Sequence, residues 1–289
     1  MSNIQFNHVL LCTRSNTKKI QQTLEWAEKQ LLAFNIKVTV QIQPGHLHKI
    51  QKTTTNKPPF DLVLVVGGDG SLLHAAQSAL HYDIPIIGIH RGQLGFLTDL
   101  PPDDPQALKA ILEGEYICQT RNFLSVDYVS EKKHRSENAL NDVVLLPGDA
   151  IHMLEFDTYI NQQLVYKNRS SGMIISTPTG STAYSLSAGG PILHPSLDAI
   201  SLIPMFPHTL SSRPLVIQGS SSIKIMLDPT DINPPILTCD GREKIHLDIG
   251  SSITLKQHQK KLQLLHPKDY HYYNRLHEKL GWEKRHKRM

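Results

Sequence analysis

Apolar runs alternate with amphipathic stretches through the first third of the chain. The continuous run DLVLVV has the composition expected of a parallel strand that is covered on both faces. Strands alternating with helices predict a doubly wound, mostly parallel sheet, and so an α/β fold for this part. Strands are predicted at residues 8–13, 36–42, 61–66 and 84–89, helices at 17–34 and 71–80 and after Pro105, and a loop or broken helix at 44–60.

The pattern changes near Arg121, where short segments of alternating hydrophobicity begin and helical periodicity becomes scarce. Many short strands separated by turn residues predict an all-β, sandwich-like domain. Towards the end, Leu276 and Leu280 follow Tyr272 or Tyr273 at helical spacing, which predicts a helix that returns to the first domain. We therefore divide the chain into an α/β domain at 1–121, a β-rich domain at 122–265 and a helical tail at 266–289.

Composition and charge narrow the class of protein. The 289 residues are 39% hydrophobic and 19% charged, so a packed globular protein is expected. A net charge of +4 is too small to predict a nucleic-acid partner, and we interpret the basic end, residues 282–289, as solvated. Three cysteines without a C-x-x-C pattern, no signal peptide and no long apolar run predict a cytoplasmic protein without a membrane segment.

The first candidate for chemistry is GGDG, residues 67–70, where a buried strand ends and a helix begins. Glycine allows close backbone approach to a ligand, and the N–H groups at a helix N-terminus attract an anion. The sequence is neither a P-loop nor a dinucleotide fingerprint, because Gly-Lys-Ser/Thr and G-x-G-x-x-G are both absent. Asp69 is either a cap of a tight turn or a group that faces an attacking hydroxyl.

Three further stretches carry unusual residue types. Asn141 and Asp142 precede an apolar run, as a strand entry or as polar contacts to ribose hydroxyls or a base edge. The stretch STPTGSTAYSLSAGGP, residues 176–191, is rich in hydroxyls and glycines, which favours a nest for phosphate or ribose over a simple connector. The apolar, proline-containing stretch at residues 204–217 indicates a packed crossover or a subunit contact more than catalysis.

In this order, the four motifs resemble those of bacterial NAD kinases, and the resemblance covers about residues 60–245. GGDG alone is less specific, since diacylglycerol kinases, sphingosine kinases and 6-phosphofructokinases share it. The resemblance implies an α/β domain and a β-rich domain with the active site between them. It also implies transfer of the γ-phosphoryl of ATP to the 2′-hydroxyl of the adenosine ribose of NAD, which gives NADP, with Mg²⁺ accompanying ATP and a homodimer or homotetramer as the assembly.

The resemblance also implies roles for individual residues. Asp69 matches the family's general base. The implied NAD contacts are Asp69, Gly70, His74, Asn141, Asp142, His152, Arg169, Thr182, Ala183, Tyr184, Ser185, Leu186 and Ser187, and the implied ATP contacts are Gly67, Gly68, Gly70, Thr177, Thr179 and Gly180.

Two positions depart from the pattern or carry no implied role. Ser171 stands where many relatives have an aspartate, so one carboxylate contact to the dinucleotide is lost or replaced. Arg242 stands where relatives vary. No protein ligands for the metal are assigned. Two alternatives stay open from the sequence: another GGDG kinase acting on a lipid or sugar, and a dinucleotide sensor without catalysis.

Overall fold

The computed structural model describes residues 4–42, 59–92, 95–148, 152–209, 211–230 and 233–282. Most of the loop predicted at 44–60 lies outside these ranges, as does the basic end apart from Trp282. Internal contacts divide the chain into two compact units. The first unit contains residues 1–120 and 262–289, and the second contains residues 121–261.

The first unit is built from a six-stranded sheet and four helices among the described residues. Its strands are β1 (His8–Thr13), β2 (Lys37–Ile42), β3 (Leu62–Gly67), β4 (Ile86–His90), β5 (Tyr116–Arg121) and β18 (Leu262–Pro267), and its helices are α1 (Lys18–Ala33), α2 (Asp69–Tyr82), α3 (Pro105–Leu112) and α5 (Tyr272–Leu280). The sheet order is β2-β1-β3-β4-β18-β5, and β1 pairs in parallel with β2 and β3, while β4 pairs in parallel with β3 and β18.

Both faces of the central strands β1, β3 and β4 are buried, as the apolar run of β3 predicts. On one face α1 and α3 pack against Leu64 and Val66, and α2 contributes its own buried residues next to β3 and β4. Pro105 stands at the first turn of α3, as predicted, and Asp104 caps this helix by accepting hydrogen bonds from two backbone N–H groups. The doubly wound arrangement is therefore confirmed.

The C-terminal segment completes the first unit. Strand β18 lies between β4 and β5, and helix α5 buries Tyr272 and Leu276. The carboxylate of Asp99, in the segment after β4, accepts hydrogen bonds from His266 Nδ1 and from Arg275 Nη2, the latter at 2.6 Å. A buried carboxylate paired with two donors from β18 and α5 fixes both elements to the N-terminal part of the unit.

The second unit is an antiparallel β-sandwich, as predicted. Its strands are β6 (Leu124–Ser130), β7 (Lys133–Ala139), β8 (Asp142–Leu146), β9 (Leu154–Ile160), β10 (Gln163–Ser170), β11 (Gly172–Ser176), β12 (Ala199–Met205), β13 (Leu215–Gln218), β14 (Ile223–Leu227), β15 (Ile236–Cys239), β16 (Ile245–His246) and β17 (Ser252–Gln257), with the short helix α4 (Tyr184–Ser187). The two sheets have the orders β10-β9-β14-β17-β6-β7 and β13-β12-β11-β8-β15-β16, and alternate residues of both form one apolar core.

The apolar stretch at residues 204–217 begins in β12 and ends in β13, which are paired antiparallel neighbours. Its connecting part is not buried throughout, since Phe206 is 79% exposed and has a positive φ of 44°. A packed crossover therefore does not describe Phe206, and the subunit-contact interpretation stays a prediction. None of the helices in the described ranges is long and apolar enough to cross a membrane.

Candidate functional site

The GGDG turn lies at the carboxyl end of β3, and helix α2 begins at Asp69. Gly67 has φ +152°, and a Cβ there would lie 2.5 Å from the hydroxyl oxygen of Ser71, so the fold itself requires this glycine. Gly68 and Gly70 differ, because a Cβ at either position would meet nothing within 4 Å. These two glycines leave open space beside the first turn of a helix.

Backbone N–H groups fix the carboxylate of Asp69. Phe96 N–H donates to Oδ2 at 2.8 Å and Leu97 N–H donates to Oδ1 at 3.0 Å. Asp69 is half-buried, and each of its oxygens has a further lone pair after these bonds. The carboxylate can therefore still accept a hydrogen bond from a ligand hydroxyl. His74, also half-buried, follows one turn later on α2.

In the second unit, Asn141 and Asp142 are buried where β8 begins. Their backbone is held by Asp240, whose carboxylate accepts hydrogen bonds from Leu140 N–H at 2.9 Å, Asn141 N–H at 2.7 Å and Asp142 N–H at 3.3 Å. The side-chain Oδ1 of Asn141 is buried and has no hydrogen-bond partner among the described residues. A buried acceptor without a donor is costly, so this atom is suited to receive a donor from a ligand.

Burial and the neighbouring carboxylate of Asp240 raise the pKa of Asp142 to about 7. Burial also raises the pKa of Asp240, against the effect of the three backbone donors. Desolvation disfavours a carboxylate, and a second carboxylate nearby disfavours it further. Near neutral pH, Asp142 therefore exists both as a carboxylic acid that donates and as a carboxylate that accepts.

The stretch after β11 forms a tight polar turn, defined here as residues 176–187. Four of its eight hydroxyls, those of Ser176, Thr177, Ser181 and Thr182, donate to backbone carbonyls. Thr177 Oγ1 donates to the carbonyl of Leu140 at 2.6 Å and accepts from Gly180 N–H at 3.1 Å. Ser181 Oγ donates to the carbonyl of Pro178 at 2.6 Å and accepts from Leu193 N–H at 3.0 Å. These hydroxyls therefore stabilise the turn itself. The prediction of a nest for phosphate or ribose did not include this structural role.

The other positions of the polar turn differ in their exposure to solvent. Thr179 and Gly180 are buried, Thr182, Ala183 and Leu186 are partly exposed, and Tyr184 and Ser187 are exposed. Ser185 is fully buried, and its hydroxyl has no hydrogen-bond partner among the described residues. A Cβ at Gly180 would lie 2.1 Å from the carbonyl oxygen of Asn141. This close approach joins the polar turn to the Asn141–Asp142 pair.

His152 and Arg169 lie outside the polar turn. His152 is exposed just before β9, and Arg169 stands on β10, in the other sheet of the sandwich. The Nε of Arg169 lies 3.4 Å from a carboxylate oxygen of Glu155, and both side chains are more than half exposed. Such a pair contributes little to stability. The described contacts do not bring these two residues to the Asn141–Asp142 pair.

Arg242 and Ser171, the two positions that depart from the family pattern or carry no implied role, both have contacts within the protein. Arg242 Nε donates to the carbonyl of Cys239 at 3.0 Å, and another of its nitrogens lies 3.3 Å from Glu137, so its contacts lie within the protein. Ser171 N–H donates to the carbonyl of Met205 at 2.9 Å.

Sequence reasoning missed two features. Asp240 is one, although an Asp-Gly pair after a strand indicates a turn. The other is the pair of N–H donors on Asp69, because backbone donors have no sequence signature.

The described residues contain no group of three or more His, Cys, Asp or Glu side chains arranged to hold a metal ion. A cage made only of protein ligands is therefore not offered by that part of the chain. In sites that bind nucleotide phosphates, Mg²⁺ is commonly held by the substrate phosphates and keeps several waters.

Comparisons with known proteins identify the family. The model of the ATP-NAD kinase N-terminal domain matches residues 9–116, and that of the ATP-NAD kinase C-terminal domain matches residues 140–266. The chain belongs to the ATP-NAD kinase family. It is 44% identical to an NAD kinase of Coxiella burnetii over 99% of this chain and 97% of that protein. It is 52% identical to an NAD kinase of Legionella pneumophila over 78% of this chain and 77% of that protein.

Solved structures agree on the fold of the family. Yeast NADH kinase, complexed with NADH, matches with a TM-score of 0.82 and 24% identity over 99% of this chain and 91% of that one. An NAD kinase from Archaeoglobus fulgidus, in complex with ATP, matches with a TM-score of 0.73 and 23% identity over 95% and 98%. The resemblance drawn from the four motifs is confirmed, and the chain is an enzyme of the kinase class.

Proposed function

We propose that this ATP-NAD kinase transfers the γ-phosphoryl of ATP to the 2′-hydroxyl of the adenosine ribose of NAD and so makes NADP. The observation that carries the proposal is the state of Asp69. Its carboxylate stands at the end of a parallel strand, is held by two N–H donors and keeps lone pairs for a further donor. A sugar hydroxyl is such a donor.

In this proposal Asp69 orients the attacking hydroxyl and accepts its proton. Phosphoryl transfer has a loose transition state, in which positioning and electrostatics contribute most of the catalysis. The proton therefore leaves late, and alignment of the hydroxyl is a large part of the role of Asp69. A general base contributes roughly 10²–10⁴-fold to the rate.

The ATP phosphates are proposed to approach the backbone at Gly67, Gly68 and Gly70. The open space at Gly68 and Gly70 supports this, because contacts within the protein do not explain the absence of side chains there. The N-terminus of α2 adds N–H groups and the positive end of the helix dipole. Thr177, Thr179 and Gly180 are proposed to shape the phosphate side of the polar turn through its backbone, since the Thr177 hydroxyl already makes two bonds.

NAD is proposed to contact Asn141 and Asp142, whose buried polar atoms suit a ligand with both donors and acceptors. The exposed ring of Tyr184 offers a surface for stacking a base. The remaining NAD contacts proposed from the family motifs are His74, His152, Arg169, Thr182, Ala183, Ser185, Leu186 and Ser187.

Three further properties are proposed on the same basis. The protein works in the cytoplasm, with Mg²⁺ delivered on ATP, and it assembles as a homodimer or homotetramer. Phe206, which is 79% exposed, lies in the stretch at residues 204–217 for which the sequence predicts a subunit contact, and this supports assembly.

One coupled assay tests the proposed function. Purified protein is incubated with ATP, Mg²⁺ and NAD, and NADP is read by a strictly NADP-dependent dehydrogenase. We expect NADP formation that stops when Mg²⁺ is chelated and restarts when it is restored. Tight NAD binding without NADP formation would instead support the sensor, and phosphorylation of a lipid or sugar in preference to NAD would support the other alternative.

A further inference from the structure

The loop after β4 approaches the side chain of Asp69 so closely that residue 95 has no room for a side chain. A Cβ built on Gly95 would lie 1.8 Å from Asp69 Oδ1 and 2.5 Å from Asp69 Cγ. Both distances are far below van der Waals contact. Gly95 is buried, and the next two residues, Phe96 and Leu97, donate the N–H groups that hold the same carboxylate.

We propose that Gly95, Phe96 and Leu97 form a positioning clamp, which fixes the orientation of the Asp69 carboxylate for its reaction. This inference rests on the proposed function, and it adds three positioning residues that act through Asp69. The absence of a side chain at 95 lets the backbone reach the carboxylate, and the two N–H groups then bind one oxygen each.

The physical reason lies in the freedom of an aspartate side chain. The terminal torsion of Asp is broad, so a carboxylate at the start of a helix has no single preferred plane. Two donors on two oxygens define that plane and leave the remaining lone pairs in fixed directions. Orientation within about 10–20° is what a catalytic group needs, and groups that hold it act on the rate of the chemical step.

Gly95→Ala tests the clamp, because the three atoms nearest to its methyl group all belong to the Asp69 carboxylate, which it must displace. We expect kcat to fall at least tenfold, while the Kd for NAD stays within threefold. The effect should depend on the carboxylate. In an Asp69→Ala background, where the colliding atoms are gone, Gly95→Ala should change the residual rate less than twofold, measured with an NADP-cycling assay.

Gly92→Ala is the matched control in the same loop. Gly92 has φ +99°, so alanine is strained there, but its Cβ would meet nothing within 4 Å. Any loss it causes should have the same size with and without the Asp69 carboxylate. Equal losses from Gly95→Ala in both backgrounds would overturn the clamp and leave Gly95 with a general role in folding.

A second variant covers the case in which Gly95→Ala does not fold. Nonsense suppression can replace Leu97 by its α-hydroxy acid, which changes the N–H to an oxygen and keeps the side chain. Loss of one hydrogen bond to a charged acceptor should lower kcat about tenfold with the KM for NAD nearly unchanged. A kcat within twofold of wild type overturns the inference. If the wild-type protein makes no NADP, the proposed function fails instead, so the two failures are distinguishable.

Discussion

The GGDG turn and the polar turn both have an unusual composition, but they differ in how far contacts within the protein explain their residues. In the GGDG turn, Gly68 and Gly70 border open space, and the protein gives no internal reason for them. In the polar turn, the hydroxyls of Thr177 and Ser181 donate to backbone carbonyls. Gly180 is required there because a Cβ would collide with the carbonyl of Asn141. The first turn leaves space beside its glycines, whereas the second uses these residues in contacts within the fold.

The difference shows how a motif should be interpreted once its contacts are known. A residue type that the protein does not need for its own packing indicates a ligand, as at Gly70. A residue type that is fully used inside the fold indicates that the motif is rigid, as at Thr177. One motif therefore offers open space, and the other offers rigidity.

The largest expected effect comes from Asp69→Asn in the GGDG turn. We expect kcat to fall at least ~10²-fold, because the amide cannot accept the proton, while NAD binding stays within about tenfold. Steady-state assays and calorimetric titration with NAD measure the two quantities. A kcat close to that of the wild type would remove the assignment of Asp69 as the base.

Gly180→Ala should give the next largest effect, in the polar turn. Its methyl group meets the carbonyl of Asn141, so we expect the free energy of unfolding to fall by about 2–3 kcal/mol. Urea denaturation measures the change. An unchanged midpoint would show that the two backbones separate easily, and the polar turn would then not be rigid.

Asp142→Asn tests the buried carboxyl pair beside the polar turn. Between about pH 4 and 7 the unfolded chain releases the Asp142 proton while the folded chain retains it, because the pKa is raised from 3.8 to about 7. The free energy of unfolding of the wild type therefore falls as the pH rises through this interval.

Asparagine carries no charge, so the variant does not lose stability when position 142 would otherwise ionise. The full rise in the pKa of Asp142 corresponds to roughly 4 kcal/mol, and relaxation of the surrounding structure reduces this value. We expect the variant to be more stable than the wild type by on the order of 2 kcal/mol at pH 8, with a smaller gain at pH 5. Urea denaturation at both pH values is the measurement. Asp127→Asn, at an exposed strand position of the same unit, is the control and should show no such change. A gain that does not vary with pH would argue against the raised pKa.

Gly70→Ala should have the smallest effect on stability, and its sign should be opposite to that of Gly180→Ala. Alanine favours the helix over glycine, and the space is open, so we expect a gain of a few tenths up to about 1 kcal/mol. The KM for ATP should nevertheless rise several-fold, since the methyl group enters the space proposed for phosphates. A gain in stability without any change in KM would show that the open space does not serve ATP.

Much of the fold follows from periodicity alone. The limits of β1 agree with the run HVLLCT, and α1 begins at Lys18, one residue from the predicted start at 17. Strands without an apolar pattern were not predicted. The strand β7 is one, because it is an edge strand whose first four residues are exposed and whose side chains are mostly polar. With so few apolar side chains, β7 has no alternating pattern that periodicity could find.

The candidate site was predictable only in part, for a related reason. Side chains with unusual spacing, such as Asp69 or the Asn141–Asp142 pair, are visible in a sequence. Their partners are backbone groups brought close by the fold, such as the N–H groups of Phe96 and Leu97, or a distant side chain such as Asp240. Contacts between positions 27 to 99 residues apart leave no local pattern in the sequence.

The position of β18 has a consequence for synthesis of the chain on the ribosome. Residues 121–261 form a contiguous unit that contains all the strands of its own sandwich, whereas the α/β sheet needs β18 between β4 and β5. The portion translated first therefore lacks an inner strand of its sheet until residues 262–267 have been synthesised. The sandwich, although it starts later, is complete earlier, and a nascent chain halted before Leu262 would expose an unfinished sheet to chaperones and proteases.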